Sequence, residues 1–212
     1  MSGEAPVIRI VDDDEAFRTA ISRVVRAAGF EVREFASAGD YLLAQSEDEH
    51  GCLLLDLRMP GPSGLDLQRA LSRKENSIPI VFLTAHGDIS ASVRAMKAGA
   101  ADFLVKPVKR DTLLSAIRTA LAKDEEQRGA RTELIELRSR YNSLSSRERD
   151  VLRHVVAGRL NKQIAAAIGA SERTVKAHRA RVMSKMHATS VADLVRAADR
   201  LGAAPPEIPS ST

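Results

Sequence analysis

Five short apolar runs, rich in β-branched residues, punctuate the first half of the chain: Val7–Val11, Val32–Phe35, Cys52–Asp56, Ile80–Thr84 and Asp102–Val105. Amphipathic stretches separate them, at Glu15–Ala28, Ala38–Gln45, Gly64–Ser72, Ile89–Ala98 and Arg110–Ala122. Strand followed by helix, five times over, predicts one doubly wound α/β domain with a five-stranded parallel sheet and helices on both faces. Cys52-Leu53-Leu54-Leu55 shows no alternation of apolar and polar positions, as a central strand buried on both sides requires.

Beyond residue 122 the strand signal ends. Residues 123–143 are charge-rich, contain Gly129 and read as a helical linker. Leu134, Leu137, Tyr141 and Leu144 form a short a/d-like seam. A stripe of this kind packs on its own domain more often than on a second chain; a dimerising seam is the alternative. Four short helices are expected over residues 144–204. Ser145 and Glu148 form a capping box opening the first, which runs to about Ala157 with Gly158 to end it. Asn161 is expected to cap the second, ending at Ile168, and Gly169-Ala170 then makes a tight turn. Ser171 caps a third, Glu172–Met186, and Ser190 starts a fourth that ends near Gly202. This predicts an all-α helix-turn-helix domain of four helices. Residues 205–212 are expected to be a disordered tail.

Composition sets limits on function. The 212 residues suffice for two cores, and 44% hydrophobic with 28% charged residues is ordinary for a globular protein. No apolar run approaches the roughly 20 residues of a membrane span. Met1–Pro6 lacks the basic start and apolar core of a secretion signal, so the cytoplasm is the expected compartment, with no membrane partner. Cys52 is the single cysteine, which excludes an internal disulfide and a cysteine-based metal site; its apolar run favours packing over reactivity. Charge divides unevenly. Residues 1–122 carry 15 Lys+Arg against 17 Asp+Glu, a net −2, whereas residues 123–212 carry 17 against 11, a net +6. A basic second half points to a polyanion, although an unused uneven surface would look the same.

Candidate chemistry sits at the carboxyl ends of the strands, where doubly wound sheets bind ligands. Asp12-Asp13-Asp14 follows the first strand, Asp56 ends the third, Thr84 the fourth, and Lys106-Pro107 follows the fifth. If strands one and three are neighbours, carboxylates converge and need a cation, and hard oxygen ligands suit Mg²⁺. A carboxylate beside such a cation, an ammonium group and a hydroxyl can attack a phosphoryl group, because the cations offset charge on its equatorial oxygens. Each residue alone has a plainer explanation: Asp12 or Asp14 as a helix cap, Thr84 as a strand end, Lys106 as a loop lysine, Pro107 as a turn residue. Only the combination points to chemistry.

Ile10-Val11-Asp12-Asp13, Leu55-Asp56-Leu57-Arg58-Met59-Pro60-Gly61 with Ser63-Gly64, Leu83-Thr84-Ala85-His86-Gly87-Asp88, and Ala100 with Asp102-Phe103 and Lys106-Pro107 carry a resemblance. Together they resemble the receiver domain of two-component response regulators over residues 5–122, a flavodoxin-like fold. The resemblance implies Asp56 as phosphoacceptor for a sensor histidine kinase. It implies Mg²⁺ ligation by Asp13, Asp56 and the backbone carbonyl of Arg58, with Asp12 acting through water. Lys106 would pair with the phosphoryl group and Thr84 would move toward it. Phe103 stands where the family has its switch aromatic, commonly Tyr; without a hydroxyl, only the ring's inward turn can serve as readout. Arg58 and His86, two residues beyond Asp56 and Thr84, are expected to flank an attacking water and tune the lifetime of the acyl phosphate.

On a 100° wheel the stretch Glu172–Met186 puts Val175, Val182 and Met186 on one side. Arg173, Ala177, Ala180 and Ser184 lie opposite, flanked by Lys176 and Arg181. Small outward residues edged by basic ones suit a major groove, since the backbone comes close while Arg and Lys reach bases and phosphates. Residues 171–187 hold five basic side chains against Glu172 alone. A solvated charged face is the plainer reading for an isolated helix.

Leu144-Ser145 with Arg147-Glu148 and Val151-Leu152, Gly158 with Asn161-Lys162 and Ile164-Ala165, and Ser171 to His178 are similar to LuxR-type helix-turn-helix domains. The order receiver, linker, LuxR-type domain resembles the NarL/FixJ family, with wording closer to FixJ-like members. The resemblance implies base contacts from Lys176, Ala177 and Arg181, with Arg173 as a further candidate. It implies phosphate contacts from Asn161, Lys162, Thr174, Arg179 and Lys185, with His178 mainly structural and near a phosphate. Ala180 stands where some members have Lys. The implied function is a phosphorylation-switched transcriptional regulator that catalyses phosphoryl transfer only to and from its own Asp56. Its implied partners are promoter double-stranded DNA, a second copy of itself once phosphorylated, and RNA polymerase. Two rivals stay open. Asp12-x-Asp14 resembles the start of a haloacid-dehalogenase-type phosphatase motif with Asp12 as nucleophile, although Ala16 stands where Thr or Val is expected. A DNA-binding protein that uses its receiver as a scaffold, without phosphorylation, is the other.

Overall fold

The strands β1 (Val7–Val11), β2 (Glu31–Phe35), β3 (Gly51–Asp56), β4 (Ile80–Thr84) and β5 (Asp102–Val105) form one parallel sheet in the order β2-β1-β3-β4-β5. This computed structural model describes residues 5–44, 50–72, 78–85 and 89–202. The chain divides into two units that meet between Arg128 and Gly129.

In the first unit, side chains alternate across the sheet because successive Cβ atoms point to opposite faces. Ile8, Ile10, Cys52, Leu54, Val81 and Leu83 face α1 (Glu15–Ala27) and the start of α5 (Arg110–Asn142), packing with Ile21, Val25, Leu113 and Ile117. Leu53, Leu55, Ile80 and Phe82 face α2 (Ala38–Ala44), α3 (Gly64–Leu71) and α4 (Ile89–Lys97), packing with Tyr41, Leu67, Leu71 and Ala95. All six residues of β3 are buried, which explains its unbroken apolar run. Two caps open helices beside the sheet's carboxyl edge. Asp14 Oδ1 accepts from the Phe17 amide at 3.0 Å, and Ser63 and Asp66 form a reciprocal capping box. Burial pushes the Cys52 thiol up to about 12, as a packing residue rather than a reactive thiol.

The amphipathic stretch read as ending at Ala122 continues: α5 is one helix of 33 residues. Nothing in residues 123–142 stops a helix, since Pro is absent there and Gly129 is tolerated at a cost of about 1 kcal/mol.

In the second unit, α6 (Ser146–Val156), α7 (Asn161–Ile168), α8 (Glu172–Lys185) and α9 (Val191–Leu201) surround Val151, Leu152, Ile164, Val175, Val182 and Leu194. Leu137 and Leu144 are buried in this cluster and Tyr141 packs against it, so the seam serves its own domain. Asn161 is not the cap of α7. The capping position is Leu160, whose amide donates to Gln163 Oε1 at 2.9 Å, and Asn161 is the first residue inside the helix. Gly169 adopts φ 65°, the left-handed turn that separates α7 from α8. Among the described residues no helix is long and apolar enough to cross a membrane. The tail expected over residues 205–212, and His86, lie outside the described residues.

Candidate functional site

The register explains the convergence of acids. Val11 pairs with Leu55 across β1 and β3, so Asp12 emerges beside Asp56. Leu83 pairs with Asp56, and Thr84 with Val105, which carries Thr84 and Lys106 to the same rim. Lys106 Nζ lies 2.6 Å from Asp12 Oδ2 and 2.9 Å from Asp56 Oδ1. Asp12 Oδ1 accepts from the Asp14 amide at 3.0 Å, and Asp56 Oδ2 from the Arg58 amide at 3.0 Å. Asp12, Asp56 and Thr84 are buried, whereas Asp13 is exposed. Phe103, half-buried, packs 6.3 Å from the Phe82 ring. Gly64 is required here: a Cβ on it would lie 2.3 Å from the Asp56 carbonyl oxygen.

The electrostatics are those of crowded charge. Burial pushes the Asp12 carboxyl above its ordinary range, and the Lys106 hydrogen bond offsets only part of this. For Lys106, burial would lower the ammonium pKa, but the hydrogen bonds and charges of Asp12 and Asp56 outweigh it and hold the proton on.

One carboxylate oxygen from each of Asp12, Asp13 and Asp56 can be chosen so that all lie within 4.8 Å of one another. Opposite ligands of an octahedral Mg²⁺ are separated by about 4.2 Å, so a small contraction of this hard-oxygen set fits the ion. The residues fit the metal that the receiver resemblance implies.

Two contacts escaped the sequence reading. The Phe17 ring lies 4.0 Å from Lys106 Nζ, and Arg18 Nη1 donates to the Asp12 carbonyl at 2.7 Å. Their signal was the start of α1 itself: a helix capped by Asp14 turns its first residues back over the acidic loop.

The second site is built on α8. Ser171 Oγ accepts from the Thr174 amide at 3.1 Å and opens the helix. Val175, Val182 and Met186 are buried. Arg173, Thr174, Lys176, Ala177, Ala180 and Arg181 are exposed, as is Lys162 on α7. Two of the residues expected at phosphates also meet each other: Arg179 Nη1 donates to Asn161 Oδ1 at 3.0 Å. The Thr174 hydroxyl lies 2.8 Å from Ser171 Oγ. Lys185 has partners within the unit: its ammonium lies 2.7 Å from Glu148 Oε2 and 3.1 Å from the Ser143 carbonyl, which ties α8 to α6. His178 is half-buried, and its Nδ1 is enclosed without a hydrogen-bond partner among the described residues.

Comparison with known proteins matches both halves. Residues 8–118 match the response regulator receiver domain, and residues 142–198 the bacterial regulatory proteins of the luxR family. The response regulator protein TodT of Pseudomonas putida is 48% identical over 201 residues, covering 95% of this chain and 88% of the relative. The transcriptional regulatory protein FixJ of Azorhizobium caulinodans is 40% identical over 202 residues, covering 95% and 96%. Among solved structures, the response regulator StyR has a TM-score of 0.81 at 45% identity, covering 93% of this chain and 100% of its own. Full-length FixJ from B. japonicum gives 0.57 at 38% identity, covering 93% and 98%. An acidic pocket on a doubly wound sheet and a basic helix in a four-helix unit thus lie together on one chain: the chain belongs to the two-component transcriptional response regulators that join a receiver domain to a LuxR-type DNA-binding domain, the FixJ-like group.

Proposed function

We propose that Asp56 accepts a phosphoryl group from the phosphohistidine of a sensor kinase and that α8 reads promoter DNA when it has done so. A carboxylate oxygen of Asp56 attacks phosphorus in line with the imidazole. The O–P bond forms as the P–N bond breaks, and the imidazole nitrogen leaves with the electron pair and takes up a proton. Asp12, Asp13, Asp56 and the Arg58 carbonyl would hold Mg²⁺, which when bound offsets charge on the equatorial phosphoryl oxygens. Lys106, 2.9 Å from Asp56 Oδ1, turns its ammonium to the new phosphoryl group, and Thr84 supplies a hydroxyl from the buried end of β4. The observation that carries this reading is the gathering of three carboxylates within 4.8 Å, two of them bridged by one lysine. Phosphoryl transfer to and from Asp56 is the chain's own catalysis; Arg58 and His86 set the lifetime of the product.

The acyl phosphate shifts a population rather than creating a new shape. Phe103 turns inward, and the face of α4, β5 and the first part of α5 pairs with a second copy in the cytoplasm. Ile89, Val93, Met96 and Val105 on that face are exposed apolar residues. Two α8 helices then engage half-sites related by two-fold symmetry, where RNA polymerase is the further partner. Lys176, Ala177 and Arg181, with Arg173, meet bases; Lys162 and the Asn161–Arg179 pair meet phosphates.

The test is incubation of the full-length protein with acetyl phosphate and Mg²⁺, followed by intact mass and the mobility of promoter fragments. The wild type gains one phosphoryl group and binds the fragments more tightly, and Asp56→Ala does neither. Phosphate uptake by Asp56→Ala, with none by Asp12→Ala, would replace this reading with the phosphatase-like one.

A further inference from the structure

Arg18 stands near the start of α1, where a cation is unfavourable beside the positive end of the helix dipole. Its guanidinium nevertheless turns back over the loop between β1 and α1. Nη1 donates to the Asp12 carbonyl at 2.7 Å, and Nε lies 4.0 Å from Glu34 Oε2 on β2. The side chain is only 15% exposed, so water competes weakly for this bond. Glu34 is itself fixed, accepting from Ser22 Oγ at 2.6 Å and Arg26 Nη2 at 3.4 Å on α1. Arg18 is therefore held at its far end rather than sweeping through solvent.

The bond has a direct effect on Asp13. The Asp12 carbonyl belongs to the peptide that joins Asp12 to Asp13. The next peptide is held too, because the Asp14 amide donates to Asp12 Oδ1 at 3.0 Å. Both peptides flanking the Asp13 Cα are thus pinned, and with them the direction in which its exposed carboxylate leaves the chain. We infer that Arg18 is a positioning residue for the cation-binding loop: it aims Asp13 so that its carboxylate stays with those of Asp12 and Asp56. A guanidinium suits this task because it keeps its charge, is weakly hydrated and donates in a fixed plane. The inference rests on the reading of the pocket as a Mg²⁺ site.

Calorimetric titration of the full-length, unphosphorylated protein with MgCl₂ alone tests it without any phosphoryl transfer. Arg18→Met keeps the bulk of the side chain and loses the donors. It raises the Kd for Mg²⁺ by about tenfold, the scale seen when a group that orients a metal ligand is lost. Arg18→Lys returns one charged donor and recovers most of that affinity. A folded Arg18→Met with the wild-type Kd overturns the inference, as does an Arg18→Lys no better than Arg18→Met. Where Arg18→Met fails to fold, Arg18→Gln takes its place under the same criterion. Asp13→Asn separates the two levels. A wild type that binds no Mg²⁺, or an Asp13→Asn that binds it equally well, sinks the metal reading itself; loss in Asp13→Asn with an unchanged Arg18→Met sinks only the role of Arg18.

Discussion

Removing the Glu148 carboxylate unlocks the DNA-binding unit. Glu148 is 3% exposed and accepts from the Ser145 amide at 2.8 Å and from Lys185 Nζ at 2.7 Å, closing the capping box of α6 and tying it to the end of α8. The Lys185 hydrogen bond, and then that of Ser145, hold its carboxyl at about 2 against an ordinary 4.5. By proton linkage this corresponds to at most about 3–4 kcal/mol of stability at neutral pH. Lys185 is 39% exposed, so solvent screening reduces the figure to about 2 kcal/mol. Glu148→Gln keeps an acceptor for Ser145 but loses the charge, costing about 1–2 kcal/mol. Glu148→Ala loses the cap as well, about 1 kcal/mol more. The pKa is depressed in the folded state, so the stabilisation is complete above about pH 4.5 and fades as pH falls toward 2. Wild type and Glu148→Gln therefore converge in acid. Hydrogen exchange of the full-length protein at the buried Val175 and Val182 positions of α8 reports on this unit alone. Protection falls about tenfold per 1.4 kcal/mol lost. Unchanged protection in Glu148→Gln at pH 7 would show that the carboxylate charge does not hold α6 to α8.

Four further outcomes are expected. Asp13→Asn raises the melting temperature in the absence of divalent cations by neutralising one of three crowded carboxylates, and it abolishes the Mg²⁺-dependent rise of the wild type, both read by thermal denaturation. Gly64→Ala drives a methyl group into the Asp56 carbonyl oxygen, costing about 3 kcal/mol in urea denaturation and suppressing phosphate uptake. Lys176→Ala and Arg181→Ala each lose about 1–3 kcal/mol of base discrimination in binding titrations, while Lys162→Ala weakens all sites alike and lowers the salt slope by about one; Lys185→Met leaves that slope unchanged, because its ammonium is engaged by Glu148. Replacing Arg58 and His86 together with Ala alters the half-life of the acyl phosphate, measured by the decay of the phosphorylated mass.

The elements legible in the sequence are those set by short-range pattern. β1, β4 and β5 have the expected bounds, and β3 is recognisable because burial on both faces leaves no alternation. Ser145, Ser171 and Ser190 cap helices because a side-chain oxygen near its own backbone amides is a local signal. Failures arise where the partner is distant. Residues 123–143 read as helical, but their continuity with the preceding helix is hidden because residues 123–133 show no continuous apolar stripe, so it rests on the absence of a stop. Leu160 rather than Asn161 takes the capping position because Gln163 turns back to its amide, while Asn161 is engaged by Arg179, 18 residues on. Lys185 reads as one more basic residue of a DNA-facing helix until Glu148, 37 residues earlier, is brought beside it. Asp124 is similar: it lies in a charged stretch, yet it is buried and accepts from the Gly51 amide at 3.0 Å. In the pocket, strand ends point to Asp12, Asp56, Thr84 and Lys106, whereas Phe17 and Arg18 carry no pattern of their own.

On the proposed reading, the acids at this rim of the sheet make Asp56 the nucleophile. Treatment of the acetyl-phosphate-modified protein with borohydride converts an aspartyl phosphate to homoserine, and peptide mass spectrometry then locates it. Homoserine at position 56, absent when Mg²⁺ is withheld, is the predicted result. Homoserine at position 12 or 13 instead, or none in a protein that has gained the phosphoryl mass, would contradict the account.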